Sequence, residues 1–436
     1  MRFKYTISLV FIAAFVIIEK ENNIISRVSN KLTRRQIPRI PQPSNFSRLA
    51  LLKQHGSYSS LSELDSEFKH LKRRLENYTI KMDNLQGGKK HIILMATTRT
   101  GSSFVGEFFN QQGSNMFYLF EPLWHIDRMF MLKTGQTNPS ALAKAHQDVL
   151  QQLLLCDFTL LENFIQPPPK NHITTTLFRR ESSKSLCEKP VCTPFVKKVV
   201  ERFPCKTRRC GPLNLALASK SCHQKEYRAI KTVRVHQLGN LRPLMENPFL
   251  NIKLIQLVRD PRAVLASRMV AFSTKYKTWK KWAVNTEVSL HHMEIKKLKA
   301  NCDEIRTSAE LGLKQPVWLQ RRYMLVRYED IARYPLKKAA EMYRFTGIPF
   351  TSQVKQWILK NTHVLKETAG VYSTRKNSSE HVEKWRFSIP FKLAKVVQRV
   401  CGSAMKLFGY RTVHNEAMLT DKSISLIEEK NFKLKK

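Results

Sequence analysis

Five largely continuous apolar runs stand out along the chain: His91–Thr97, Met116–Phe120, Ala229–Val235, Ile252–Val258 and Tyr323–Val326. Apolar residues that do not alternate with polar ones are buried on both faces, as in the strands of a parallel sheet covered by helices. Between the runs lie segments of helical spacing, Ser102–Gln112, Ser140–Leu155, Pro261–Phe272 and Pro335–Thr346. Strand and helix in alternation predict an α/β fold of three layers around a mainly parallel sheet. The body starts after the break Gln86-Gly87-Gly88 and is expected to span 89–413, with 414–436 as a C-terminal tail.

The first part of the chain is patterned differently. Tyr5–Ile18 carries no charge, and Arg2 and Lys4 precede it. It is shorter than the roughly 17–25 residues of an ordinary membrane span, and no clear small-residue cleavage site follows. A cleaved signal core and a short uncleaved anchor both fit, and the anchor is favoured. On that reading 1–4 is a cytosolic tail, 5–18 a signal-anchor, and everything beyond it lumenal. Residues 19–88 form a stem, with Pro38, Pro41 and Pro43 in an extended stretch. Within it Leu61, Leu64, Phe68, Leu71, Leu75, Tyr78 and Met82 repeat at three and four, behind the capping pair Ser60 and Glu63. The helix 61–82 is either a short coiled coil joining two copies into a homodimer or a single amphipathic helix.

Charge narrows the partner. Lys and Arg number 75 against 34 Asp and Glu, a formal net charge of +41. Such a field draws polyanions: nucleic acid, anionic lipid or acidic polysaccharide. The compartment chooses among them. Three N-x-S/T sequons, at Asn45, Asn77 and Asn377, agree with a lumenal body. Of eight cysteines, five fall between Cys187 and Cys222. Their C-x4-C spacings do not match a zinc knuckle, so disulfides are expected, with the pairing left open. A lumenal protein does not meet nucleic acid, and acidic glycans or an anionic cofactor remain.

Two segments carry anion chemistry. The first run ends in Thr97-Thr98-Arg99-Thr100-Gly101-Ser102-Ser103 and opens a helix, the arrangement in which backbone N–H groups cradle an oxyanion. The Walker pattern is absent, with no Lys beside the hydroxyls and no evident Mg²⁺-holding Asp, so the anion is expected to be handled without metal. The second is Val258-Arg259-Asp260-Pro261-Arg262, with Ser267 two turns on. Asp260 suits an N-cap and Pro261 a first helical turn. Arg259 then stands at the carboxyl edge of the sheet, where open α/β sheets bind ligands. Two anion grips on one edge describe a ligand with two separated phosphate-type groups.

These segments resemble the 5′-phosphosulfate and 3′-phosphate motifs of the Golgi carbohydrate 6-O-sulfotransferases, which act on galactose, GalNAc or GlcNAc. Across 91–413 the resemblance is greatest to the vertebrate chondroitin 6-O-sulfotransferases. It rests on HIILMATTRTGSSFVGEFFNQQ, FYLFEPLWHI, LCEKPVCTPFVKK, RRCGPLNL, IQLVRDPRAVLASRMVAF, KYKTWKKW, YMLVRYED and EKWRFSIPFKLA. It implies a P-loop-like sulfotransferase fold and the donor 3′-phosphoadenosine-5′-phosphosulfate (PAPS). Thr98, Arg99, Thr100, Gly101, Ser102 and Ser103 would hold the 5′-phosphosulfate, with Arg99 stabilising charge on the leaving oxygen. Arg259, Asp260, Pro261, Arg262 and Ser267 would bind the 3′-phosphate. Glu121, after the second strand, is the candidate general base, and His125 the alternate. Lys275–Lys281, with Tyr276 and Trp279, would grip a glycosaminoglycan acceptor, chondroitin with keratan sulfate as a second choice. Ser373–Arg386 would close over the nucleotide.

The rival readings are a nucleotide or sugar kinase and a non-enzymatic glycosaminoglycan-binding membrane lectin. Sulfuryl carries less charge than phosphoryl, so arginine, hydroxyl and N–H donors suffice to stabilise its transfer. Sulfate transfer is therefore expected to persist undiminished in excess chelator, and abolition of turnover by EDTA with rescue by a divalent ion would refute the metal-free expectation.

Overall fold

The structure, a computed structural model, describes residues 88–124, 126, 138–159, 180–194, 205, 208–284, 287–362, 380 and 382–432. The expected anchor, the stem helix 61–82, the three sequons, His125 and Ser373–Ser379 lie outside the described residues. Among the described residues no helix is long and apolar enough to cross a membrane.

Five strands form one parallel sheet: β1 (Lys90–Met95), β2 (Met116–Phe120), β3 (Tyr227–Thr232), β4 (Ile252–Val258) and β5 (Tyr323–Arg327). Their order is β2-β3-β1-β4-β5. Each predicted run is a strand to within three residues at either end. Ile93 and Met95 face one core together with Ile230 and Leu254. Ile92 and Leu94 face the other with Ala229 and Ile255. Both faces of β1 are thus covered, which explains why its sequence is apolar throughout.

Among the described residues the helices of eight or more residues are α1 (Ser102–Asn110), α2 (Pro139–Leu154), α3 (Leu215–Gln224), α4 (Pro261–Ala271), α5 (Lys277–Val284), α6 (Met293–Lys314), α7 (Pro335–Thr346), α8 (Ser352–Thr362) and α9 (Phe391–Phe408). Phe104, Val105, Phe108 and Phe109 of α1 pack on one side of the sheet. Ala263, Leu265 and Met269 of α4 pack on the other. The neighbouring strands β1 and β4 therefore send their following loops to opposite faces. This is the topological switch point of an open α/β sheet, and it opens a crevice at the strands' carboxyl ends.

The expected helical segments omit α6 and α9, the two longest helices among the described residues. Leu393, Val397, Cys401, Ala404 and Phe408 recur at helical spacing along α9. On α6 the small residues Cys302, Ala309 and Gly312 interrupt a stripe of Ile295, Leu298 and Ile305. Gly312 is small by necessity, since a Cβ there would lie 2.1 Å from the Tyr323 ring. The chain beyond 413 is also more than a tail. Leu419 and Leu426 are buried, and Tyr410 bridges Ile427 in antiparallel fashion. Buried Arg386 donates to the carbonyls of Leu419 (2.7 Å), Met418 (3.2 Å) and Ile424 (3.1 Å). Arg327 donates to those of Phe408 (2.9 Å) and Glu428 (3.0 Å). Two guanidinium groups thus hold the returning chain by its backbone.

All eight cysteines pair: Cys156–Cys222, Cys187–Cys205, Cys192–Cys210 and Cys302–Cys401. The last joins α6 to α9 across 99 residues of sequence. Replacing both Cys302 and Cys401 by Ala is expected to cost about 2–5 kcal/mol of stability. Denaturant unfolding of the purified domain measures it, and an unchanged midpoint would refute a stabilising role for this crosslink.

Candidate active site

The turn after β1 is held by its own hydroxyl. The Thr97 carbonyl accepts from Thr100 N (3.3 Å) and from Thr100 Oγ1 (2.7 Å). Arg99 (φ 74°) and Gly101 (φ 91°) both take left-handed backbone conformations. For Gly101 no other residue serves, because a Cβ would meet the Tyr328 ring at 2.2 Å. Gly101 opens α1 with no side chain capping it, so the first N–H groups of the helix stay available for an anion. The left-handed residues turn successive N–H groups toward one concavity.

The β4 side grips this turn. Arg259 Nη1 donates to the Arg99 carbonyl (3.2 Å), and Arg268 Nε donates to the Thr98 carbonyl (3.1 Å). Arg99 Nε donates in return to Ser267 Oγ (3.0 Å). The guanidinium of Arg259 lies over the Tyr328 ring, 4.6 Å from its centre. Its Nε is buried and finds no hydrogen-bond partner among the described residues. A buried cationic N–H left unpaired is costly, and an incoming phosphate oxygen would satisfy it.

Asp260 and Arg262 serve the scaffold. Asp260 caps α4 by accepting from Arg262 N (2.9 Å) and pairs with the Arg262 guanidinium at 2.7 Å. Arg262 is fully buried, reaches Gln398 at 2.8 Å and stacks on Trp385. Glu329, on the short helix Tyr328–Arg333 that follows β5, holds the same turn, its carboxylate accepting from Asp260 N (2.9 Å) and from the Tyr410 hydroxyl (2.9 Å). Burial raises the Glu329 pKa. The expectation that Asp260 and Arg262 bind ligand is thereby corrected: both are spent in shaping the backbone that presents Arg259. Pro261 does reach the crevice.

That crevice is a cavity of about 580 Å³ between the ends of β1, β3 and β4 and the helices α4, α5 and α6. Thr98, Thr100, Arg259, Arg268, Lys275 and Lys297 line it. Trp279 is 2% exposed and packs edge-on to Trp282 at 5.0 Å, so it belongs to the core and borders the crevice from within. Trp385 and Arg386, expected in a loop over the nucleotide, are likewise buried.

Glu121 stands just past β2 with φ 51°. One carboxylate oxygen pairs with the buried ammonium of Lys231, and the other accepts from Val233 N (3.2 Å). Burial lowers the Lys231 pKa, against the pull of Glu121. Both carboxylate oxygens of Glu121 are thus engaged within the fold, where they balance the Lys231 ammonium. Lys231, Arg268 and Tyr328 are missing from the sequence reading. Only Lys231 leaves a signal, as a buried-strand lysine directly after Ala229 and Ile230.

Comparison with known proteins fixes the family. The sulfotransferase domain pattern matches residues 89–409. The chain belongs to the sulfotransferase family. It is 56% identical to human carbohydrate sulfotransferase 3, over 99% of this chain and 95% of that protein. To carbohydrate sulfotransferase 3 of Tetronarce californica it is 52% identical, over 99% of each. The solved sulfotransferase domain of the Synechococcus PCC 7002 olefin synthase is 13% identical, covering 72% of this chain and 94% of its own, with a TM-score of 0.33. The kinase and lectin readings fall away, and the sulfotransferase is an enzyme of three-layer α/β fold, as expected. Gly101→Ala is expected to lower turnover at least tenfold and stability by about 1–3 kcal/mol, because the new methyl meets both the Tyr328 ring and an adverse φ. Wild-type turnover in that variant would overturn the account of the turn.

Proposed function

We propose that this enzyme transfers sulfuryl from PAPS to the 6-hydroxyl of N-acetylgalactosamine in chondroitin, with galactose of keratan sulfate as a second acceptor. One observation carries the reading: two anion grips converge on the switch point, the Gly101 turn that opens α1 and the buried, unpartnered Nε of Arg259. They suit the two ends of an adenosine carrying a 5′-phosphosulfate and a 3′-phosphate, and a cavity of about 580 Å³ has room for it. In this reading N–H groups of Ser102 and Ser103 and the Arg99 guanidinium hold the 5′ end, with Thr98, Thr100 and Gly101 shaping the cradle. Arg259 and the Ser267 hydroxyl hold the 3′ end. Donors fixed in place before the reaction stabilise charge gathering on the departing phosphate oxygen.

The polymer acceptor follows from the +41 charge and from the likeness to proteins named carbohydrate sulfotransferase 3. Residues 5–18 would anchor the enzyme in the Golgi membrane with its body in the lumen. The four disulfides agree with an oxidising compartment. The stem helix 61–82 would pair two copies.

Transfer of labelled sulfate from PAPS to desulfated chondroitin tests the activity directly. Calorimetry with 3′-phosphoadenosine-5′-phosphate tests the site. Arg99→Ala and Arg259→Ala should each weaken nucleotide binding about 10- to 150-fold, the equivalent of about 1.5–3 kcal/mol for a hydrogen bond to a charged group. Unaltered affinity in both variants would sink the assignment. Glu121→Gln should cut turnover, and adding Lys231→Met should restore part of it if Glu121 only balances that lysine. A double variant as inactive as Glu121→Gln alone would return Glu121 to the role of base.

A further inference from the structure

A second cavity of about 270 Å³ opens beside the first. The two share Arg234, Val235, His236 and Glu304 as a common wall. On the far side of that wall Ser140, Gln147, Gln237 and Asn240 supply hydroxyl and amide groups, and Leu142 and Leu241 supply apolar surface. Mixed polar and apolar walls of this kind suit a sugar ring, which has hydroxyl edges and an apolar face. Glu304 is the one carboxylate on the wall of this cavity among the described residues, and Arg234 on the same wall balances it, so the lining has no excess charge to select a charged ring. The chemistry fits one neutral hexosamine ring.

The wall also holds a proton acceptor. His236 Nδ1 lies 3.4 Å from Glu304 Oε2. A carboxylate partner keeps the proton on Nδ1 and leaves Nε2 as the free acceptor. The loop bearing His236 is pinned to α6, where buried Ser308 donates to the His236 carbonyl (3.1 Å) and accepts from Leu238 N (3.0 Å). The backbone of His236 is therefore fixed at the boundary between donor and acceptor space, and its half-exposed imidazole lines both cavities. Glu121, by contrast, has both oxygens engaged.

We infer that the smaller cavity is the acceptor subsite, that it receives a neutral N-acetylhexosamine ring, and that the His236–Glu304 pair takes the proton of the reacting hydroxyl. This rests on the PAPS reading of the larger cavity. In the step, the acceptor oxygen bonds to sulfur. The bond from sulfur to the bridging oxygen of the 5′-phosphate breaks, and its electron pair stays on that oxygen. The hydroxyl proton passes to His236 Nε2. The charged and titratable groups around His236 are Glu304 on α6, Arg234 on its own loop and His146 on α2. Across the larger cavity Arg259, Arg268, Lys275, Glu294 and Lys297 face the same space.

Three variants test it. His236→Gln should lower kcat about 10²–10⁴-fold and remove the acid limb of the kcat–pH profile from the residual activity. Glu304→Gln should cause a smaller loss of kcat, because the amide no longer orients the imidazole as the carboxylate does. Ser140→Trp, at an exposed position of α2, should fill the smaller cavity. It should weaken binding of a chondroitin oligosaccharide at least tenfold by calorimetry while leaving 3′-phosphoadenosine-5′-phosphate binding unchanged. Wild-type kcat with an intact acid limb in His236→Gln overturns the proton role. Unchanged oligosaccharide affinity in Ser140→Trp overturns the subsite. Absence of nucleotide binding in the unmodified enzyme would instead be the failure of the donor reading.

Discussion

The site depends on one crossing: arginines that follow β4 hold the backbone that follows β1. Arg259 and Arg268 donate to the carbonyls of Arg99 and Thr98, while Arg99 returns a bond to Ser267. Without these bonds a non-glycine residue at φ 74° would be a strained turn with no reason to persist. With them, two loops leaving the sheet toward opposite faces are fixed to each other. Hydrogen bonds that carry a formal charge are stronger than neutral ones, so this crossing is stiff where a binding site needs it to be.

Buried charge around the crossing is layered. Asp260 and Arg262 neutralise each other inside the fold, and Glu329 fastens Asp260 N from the short helix after β5. Arg259 is the member of this group that keeps an unsatisfied donor. Removing either partner of the Asp260–Arg262 pair would strand the other in the core, which is far more costly than never having had the pair. The RDPR segment thus divides its labour, with one arginine for ligand and one for architecture.

Much of the fold was legible in the primary pattern. The strands announced themselves because a parallel sheet buries both faces, which leaves continuous apolar runs. The turn at Gly101 was legible because a glycine followed by hydroxyl residues after an apolar run marks a strand-to-helix turn, whereas the approach of Tyr328 that also demands glycine was not. The helix α6 was harder to read, because the small residues Cys302, Ala309 and Gly312 interrupt its stripe of Ile295, Leu298 and Ile305. Trp279 misled for a related reason: an aromatic among lysines reads as a surface platform, yet it lies in the core against Trp282.

Local chemistry by itself determined that strands alternate with helices, that a glycine turn opens α1, and that an arginine stands at the end of β4. These are properties of short segments, set by period, φ and capping. Which arginine faces the crevice, which carboxylate is already taken, and which cysteines meet were decided by tertiary packing. Glu121 and Lys231 stand 110 positions apart, and Cys302 and Cys401 stand 99 apart. No short-range pattern encodes such meetings. The first follows from the strand order, which pairs β2 with β3, and the second from the packing of α6 against α9.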